Sequence, residues 1–541
     1  MAHKNHLLQL TEGAVQVPQS QNLGSVKLWC DYAIWGLLFY DDQSPWLTLV
    51  ECIHICFDQK RKHGQVFPHP APEPSGEHEP VVYCQPLNHP LRHLIFRDSD
   101  VARIAGTRSA DDRARWTEWL AGIAEFYPNI SLDYLQKRFS TFAEMARSVE
   151  LLRSIDIEPH SPKRWTSHHL LPLGPTMLFP DVNEANSPDR KFMRRTGEML
   201  YLMLNRSVQR DCLEPLVDAR LLRSDGVWNR LAARLAAPAD EEKSQTCGYL
   251  PVARHETFNR LAEDWIALLS LDRIPIENVL DPLQRVSGLF QILYILERAQ
   301  EVVGDGVPVA PFFLDLVGAP GNNPIRKLSA NQYKRHRTLP MEATASFVER
   351  FEGAEEWTKI LASDAGAELA SRTLRDRFLW GKHYSSDPDR RPSPRDQLAE
   401  LKTEAQATKG HSIVATLNNH LRQIGMLRAL RRSGTWYAPS DALLEALVLA
   451  NVTVPMEFTE FLDRLLRRYN IAIGPEEVRK AFQVSSGALP APMADLKENE
   501  RRLEERLRVL GFLDRKSDDC AFVINPFFDT EPVGRKAATS G

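Results

Sequence analysis

Two stretches near the end of the chain, HLRQIGMLRALRRSGTWYAPS (His420 to Ser440) and RLRVLGFLDRKSDDCAFVINP (Arg506 to Pro526), align without a gap. Leu421 meets Leu507, Arg422 meets Arg508, Gly425 meets Gly511 and Leu427 meets Leu513. Ile424 over Leu510, Met426 over Phe512 and Trp436 over Phe522 keep apolar character. Each copy runs through the same events: an amphipathic helix, a glycine stop, a short strand, a polar turn, an aromatic-bearing strand and a proline. Glycine just past a helix end takes the left-handed conformation that closes the helix. Two short strands around a polar turn form a hairpin packed by alternate residues. The C-terminal region is therefore constrained to two helix–hairpin units.

A helix leading directly into a hairpin is how a winged helix ends, and this region resembles the winged helix-turn-helix superfamily. For the second copy the spacing also predicts upstream helices, in EFTEFLDRLLRRY, in PEEVRKAF after Gly474, and in MADLKENERRLEERLRVLG. HSIVATLNNHLRQIG is the last helix of the first copy, and SDALLEALVLANV reads as a helix between the copies. The expectation is a tandem pair, 405–455 and 456–528. The resemblance implies contact with double-stranded DNA or, alternatively, with partner proteins.

Charge separates the copies. Lys409 to Ser440 contains Lys409, Arg422, Arg428, Arg431 and Arg432 and no acidic residue. Arg501 to Pro526 sets Glu504, Glu505, Asp514, Asp518 and Asp519 against its arginines and Lys516. In the first copy Ile413, Leu417, Leu421 and Ile424 make a buried stripe, which leaves Asn418, Asn419, Arg422 and Gln423 outward. Asn and Gln pair twice with adenine and Arg twice with guanine, so these are base-reading residue types. Arg431 and Arg432 at the turn would reach phosphates. The plain alternative is a solvated helix with an ordinary polar face.

Upstream, the chain reads as mainly helical. SPWLTLVECIHICFDQKR starts a helix with Ser44 as cap and Pro45 at the first position. It belongs to an N-terminal unit, 1–110, interrupted by a Pro-rich loop at 66–80. A helical body follows over 111–383, in which Leu132 to Leu152 forms one amphipathic run opened by Ser131. An insert at 307–337 departs from this pattern: a short apolar run suited to a buried strand, then a Gly/Asn/Pro loop gathering Arg326, Lys327, Lys334, Arg335, His336 and Arg337. That loop is a candidate second phosphate-contacting patch. The tail 529–541, small and polar, is expected to be disordered.

Composition narrows the function. With 67 Lys plus Arg against 71 Asp plus Glu, the chain cannot coat nucleic acid by overall charge, so any such contact is local. Seven cysteines, never spaced CxxC, fit free thiols in a reducing compartment, and no apolar run suits a signal peptide or membrane span, so a cytoplasmic setting without membrane contact is expected. The motifs GxxxxGK[ST], HExxH and GxSxG are missing. Cys52, Cys56, Cys84, His89 and His93 are metal-ligating residue types whose spacing matches no closed zinc module, and the cysteines read as buried free thiols on an apolar helix. Asp396, Glu400 and Lys402 mimic a nuclease set but fall on a helical stretch without strands. No catalytic residue, metal ligand or cofactor is assigned, although a divergent active site stays open and a metal-dependent nuclease remains the third reading. The segments RRTGEMLYLMLNRS, CGYLPVARHETFNRLAEDWIALL and WYAPSDALLEALVLANV are similar to non-catalytic components of bacterial methylation-associated anti-phage defence systems. That similarity implies a cytoplasmic protein that works with a methyltransferase and effector proteins and recognises DNA or a partner rather than cutting.

Overall fold

A computed structural model of the 541-residue chain describes residues 25–36, 43–69, 81–86, 88–107, 111–126, 128, 130–158, 168–179, 196–237, 242–318, 323–385, 387, 390–407, 413–431, 434–483, 489–517 and 520–528. Most of the expected Pro-rich loop, from 70 to 80, and the tail from 529 lie outside the described residues.

The architecture is mainly α, as the periodicity predicts. Helices α1 (Val26–Trp35) and α2 (Pro45–His63) open it, and Ser44 caps α2 by accepting a hydrogen bond from Leu47 N–H at 3.2 Å, with Pro45 at the first position. Strand β1 (Val82–Pro86) pairs antiparallel with β2 (Glu242–Thr246). Helix α3 (Thr196–Asn205) lies against α2. Helix α4 (Glu256–Leu269) leads to α5 (Ile276–Val303), 28 residues long, and from Leu289 to Leu296 every α5 residue is buried. A helix apolar on all sides belongs inside a core, and α5 is indeed wrapped by α1, α2, α4 and by helices from the C-terminal region.

Two expectations are corrected. The run Leu132 to Leu152 is broken into Leu135–Arg138 and Phe142–Arg153, because Thr141 caps the second piece by accepting from Glu144 N–H at 3.1 Å. The insert 307–337 does contain a buried strand, β3 (Phe312–Phe313), but its basic residues are not on a loop. From Pro324 they lie on α6 (Pro324–Glu349), which Asn323 caps through Ile325 N–H at 2.9 Å. Asparagine at the cap with proline at the first helical position is a helix start.

The C-terminal region follows as α7 (Pro394–Ala405), α8 (Ile413–Gln423), the antiparallel hairpin β4 (Leu427–Leu430) and β5 (Gly434–Tyr437), and α9 (Asp441–Asn451). After it come β6 (Met456–Glu457), α10 (Phe458–Tyr469), β7 (Ile471–Ala472), α11 (Pro475–Ala481), α12 (Met493–Val509) and the hairpin β8 (Leu513–Ser517) and β9 (Cys520–Val523), with β6 pairing on the outer side of β9. The two hairpins share a register over their first three pairs, Leu427 facing Tyr437 as Leu513 faces Val523, Arg428 facing Trp436 as Asp514 faces Phe522, and Ala429 facing Thr435 as Arg515 faces Ala521, before a register shift between Arg515 and Ser517 sets the tip of the second apart.

One cluster of buried side chains runs from Val26 to Val523, so the body and both helix–hairpin units share a core. The first unit is seated by a close approach: a Cβ on Gly288 of α5 would lie 2.7 Å from Ile424 and 3.3 Å from Pro45. The second is tied in by β3, which pairs in parallel with β7, and by Asn499, whose amide donates to Leu314 O (2.9 Å) and Ile473 O (3.0 Å).

Candidate nucleic-acid interface

The buried stripe of α8 is the expected one, Ile413, Leu417, Leu421 and Ile424, each at most 4% exposed. Its outer face is narrower than expected. Arg422 and Gln423 are exposed, whereas Asn418 and Asn419 are half-buried, and Asn418 Oδ1 accepts from the Tyr333 hydroxyl at 3.2 Å. Asn418 is thus engaged by α6 rather than presented freely. Arg431 is exposed at the turn of the hairpin, and Arg432 lies outside the described residues.

Tyr333 joins two regions that the sequence left separate. Besides bonding Asn418, it lies under the Arg337 guanidinium, 5.8 Å from its ring centroid. Burial raises its pKa, and Arg337 and Arg422 act against that rise, which sets guanidinium groups from both regions around one phenol. The candidate phosphate patch on α6 and the outer end of α8 are therefore one surface. Lys327, Lys334 and Arg337 are exposed and fall at helical spacing on one stripe of α6, with Arg335 at its far edge. Arg326 is different: it is paired with the buried Asp315 at 3.2 Å and lies over the Trp436 ring at 4.4 Å, so it braces the hairpin instead of facing solvent.

Strand β5 is pinned to α6 by its own backbone. Tyr437 N–H donates to Ser329 Oγ at 2.8 Å, the Ser329 hydroxyl donates to Tyr437 O at 3.1 Å, and Asp315 N–H donates to the same carbonyl at 2.9 Å. His336 Nε2 lies 2.7 Å from Ala310 O, an obligate acceptor, so Nε2 carries the proton and Nδ1 accepts from the Tyr437 hydroxyl at 2.7 Å. Burial pushes this imidazole down to about 4, and the neighbouring Arg335 charge pushes the same way. The hairpin is a rigid mount, which leaves β4 free on its outer side: Leu427 is buried, and Arg428, Ala429 and Leu430 are exposed.

Lys327, Lys334, Arg335, Arg337, Arg422, Arg428 and Arg431 have no ion pair to any carboxylate among the described residues. The second unit is the reverse. Arg501 and Arg502 both pair with Glu498 at 2.7 Å, Arg506 with Asp441 of α9, Arg515 with Glu504 at 3.6 Å and Lys516 with Asp514, which on α12 and its hairpin leaves Lys497 and Arg508 outside an ion pair among the described residues. Sequence reasoning did not single out Arg428, Tyr333 or Trp436 as site residues. The basic residue inside the expected strand carried the signal for Arg428, and the tertiary contact of α6 with α8 carried none in the sequence.

The other candidate clusters disperse. Cys52 and Cys56 are buried on α2, and Cys84 Sγ accepts from Lys62 Nζ at 3.2 Å. His93 is buried on the helix His89–Phe96. Among the described residues no three His, Cys, Asp or Glu side chains gather in a way that could hold a metal ion. On α7, Asp396 accepts from the Ser393 hydroxyl, Glu400 from the Tyr384 hydroxyl at 2.5 Å, and Lys402 pairs with Glu349, so the three residues serve separate partners. No described helix is long and apolar enough to cross a membrane. No protein-family model, curated protein or solved structure matches the chain.

Proposed function

We propose that the chain is a non-enzymatic scaffold that contacts double-stranded DNA through one face, made by the outer end of α8, the β4–β5 hairpin and the outer stripe of α6. The observation that carries this reading is the set of seven basic side chains on that face without carboxylate partners among the described residues, in a chain whose formal net charge is −4. A surface with unmatched positive charge on a rigid mount attracts phosphates and gains by releasing their counterions. Arg422 and Gln423 stand at the exposed end of α8 as base-reading groups, and Lys327, Lys334 and Arg337 would track the backbone beside them. In this reading the α8–β4–β5 unit acts as a winged helix.

The second unit suits a different partner. Most of its arginines are ion-paired, Arg501 and Arg502 with Glu498 and Arg506 with Asp441 of α9, and Val509, which stands where Gln423 stands in the first unit, is 75% exposed. That combination favours a protein contact there, with the similarity to defence-system components pointing to other defence proteins as partners. The DNA reading is tested by Arg431→Glu with Arg432→Glu in a duplex gel shift. Arg431 is at the hairpin turn, and the expected outcome is a marked loss of the shifted band with unchanged circular dichroism; an unchanged shift contradicts the reading.

A further inference from the structure

The segment 310–316, with β3 inside it, is held by both helix–hairpin units at once. The backbone groups of an extended strand point alternately to its two edges, and here each edge meets a different unit. On one edge Phe312 N–H donates to Asn470 O at 2.8 Å, Leu314 N–H to Ala472 O at 3.3 Å and Leu316 N–H to Asn499 Oδ1 at 2.8 Å, all in the second unit. On the other edge Asp315 N–H donates to Tyr437 O of the first hairpin at 2.9 Å, and the Asp315 carboxylate holds Arg326 over the Trp436 ring. Ala310 O serves both units: it accepts from the Asn470 side-chain amide at 2.9 Å and from His336 Nε2 at 2.7 Å, and His336 Nδ1 accepts from the Tyr437 hydroxyl. The rings of Phe312 and Tyr437 meet edge to face, with centroids 5.1 Å apart.

Phe312, Phe313 and Leu314 are fully buried, and Asp315 is 3% exposed. Water does not replace a partner lost there, and a buried donor or acceptor left unmet costs more than the bond it made. A change in how the second unit sits therefore carries the segment with it. That movement draws Asp315 away from Tyr437 and loosens Arg326 on Trp436, the residue that faces Arg428 across the hairpin. The placement of Arg428 and Arg431 thus depends on hydrogen bonds made in the other unit.

We propose that segment 310–316 couples the two units, with Asn499 and Asn470 as positioning residues that set the duplex affinity of the first unit from within the second. The inference rests on the DNA reading above. A protein bound to the second unit would then alter duplex binding, and duplex would alter that protein's affinity by the same factor. The test uses the full chain and a labelled duplex at low salt. Asn499→Ala removes the side chain that holds Leu314 and Leu316, whereas Asn470→Gly keeps the left-handed backbone of that position, φ 54°, and removes only its side-chain bonds to Val309 O and Ala310 O. Both are expected to weaken duplex binding by about 5-fold or more in anisotropy, and to speed amide exchange at Tyr437. Gly511→Ala, strained at φ 82° in the same unit but outside these bonds, is the control for lost stability alone; it should change affinity by less than about twofold and leave Tyr437 exchange as it was. If Asn499→Ala does not fold, Asn470→Gly decides alone. Wild-type affinity in the asparagine variants, or an equal loss in Gly511→Ala, overturns the coupling and leaves the DNA reading standing. Wild-type protein that binds no duplex at low salt overturns both.

Discussion

In the first helix–hairpin unit, Met426 N–H donates to Leu421 O at 2.8 Å, and in the second, Phe512 N–H donates to Leu507 O at 2.9 Å. Gly425 N–H reaches Arg422 O as Gly511 N–H reaches Arg508 O, each at 3.1 Å, with φ of 85° and 82° at the two glycines. Ala438 N–H returns to Met426 O at 3.0 Å, and Ile524 N–H to Phe512 O at 2.9 Å. Up to the second hairpin's tip the backbones are the same device, whereas the surfaces differ: unmatched arginines on one, mostly ion-paired arginines on the other. A helix–hairpin thus fixes where side chains stand, and the residues at Gln423/Val509 and Arg428/Asp514 decide what each unit can meet.

Charge reversal should break the comparison most strongly. Arg422→Glu with Arg428→Glu removes two charged contacts, at roughly 1.5–3 kcal/mol each, so duplex affinity should fall by roughly 10²- to 10⁴-fold by fluorescence anisotropy. Arg508→Glu, at the position matching Arg422, should change it by less than about threefold if the second unit does not touch DNA. Equal losses from both would make the units equivalent.

The two glycines sharpen the structural side. Alanine at either position faces the left-handed penalty of roughly 1–2 kcal/mol. At Gly425 the added Cβ would also collide with the Ser440 hydroxyl, the cap of α9, whereas at Gly511 it would meet nothing within 4 Å. Gly425→Ala should therefore cost about 1–3 kcal/mol more than Gly511→Ala in denaturant unfolding. Equal costs would show that the first hairpin is not seated as described.

The smallest effect is on pH dependence. Burial holds His336 and His420 at about 4, against an ordinary value of 6.5. The unfolded chain binds more protons than the native chain between those values, so the stability these neutral rings allow is complete above 6.5 and falls as pH drops toward 4. The second unit has no histidine, and burial raises the carboxyls of Glu477 and Glu500 above 4.5, so their contribution favours the folded state at low pH and is lost as pH rises. Hydrogen exchange corrected for intrinsic rates should show protection of Tyr437 falling from pH 7 to pH 5 while that of Val523 holds. Parallel changes in both hairpins would contradict this.

These contrasts were partly legible in the sequence. The glycine stops, both hairpins, their shared register and the buried stripe of α8 follow from local spacing, which is the part of folding that sequence states directly. Helix α6 was misread as a loop because Gly321, Asn322 and Asn323 look like a turn, although Asn323-Pro324 is a cap followed by a first helical position. The meeting of Tyr333 with Asn418, which makes one basic surface out of two and takes Asn418 away from solvent, depends on how α6 and α8 pack on α5, and no local pattern encodes it. The charge contrast between the copies was legible as composition. Which cations remain unmatched required the geometry of the ion pairs.

The central claim, that one unit meets DNA and its near-copy does not, is tested most directly by duplex affinity across a salt series. Each phosphate contact contributes about −0.9 to the slope of log K against log salt concentration. The account predicts a steep negative slope for the wild type, a slope shallower by about 2 for Arg422→Glu with Arg428→Glu, and no change for Arg508→Glu. A wild-type affinity independent of salt, or a slope that changes only with Arg508→Glu, would contradict it.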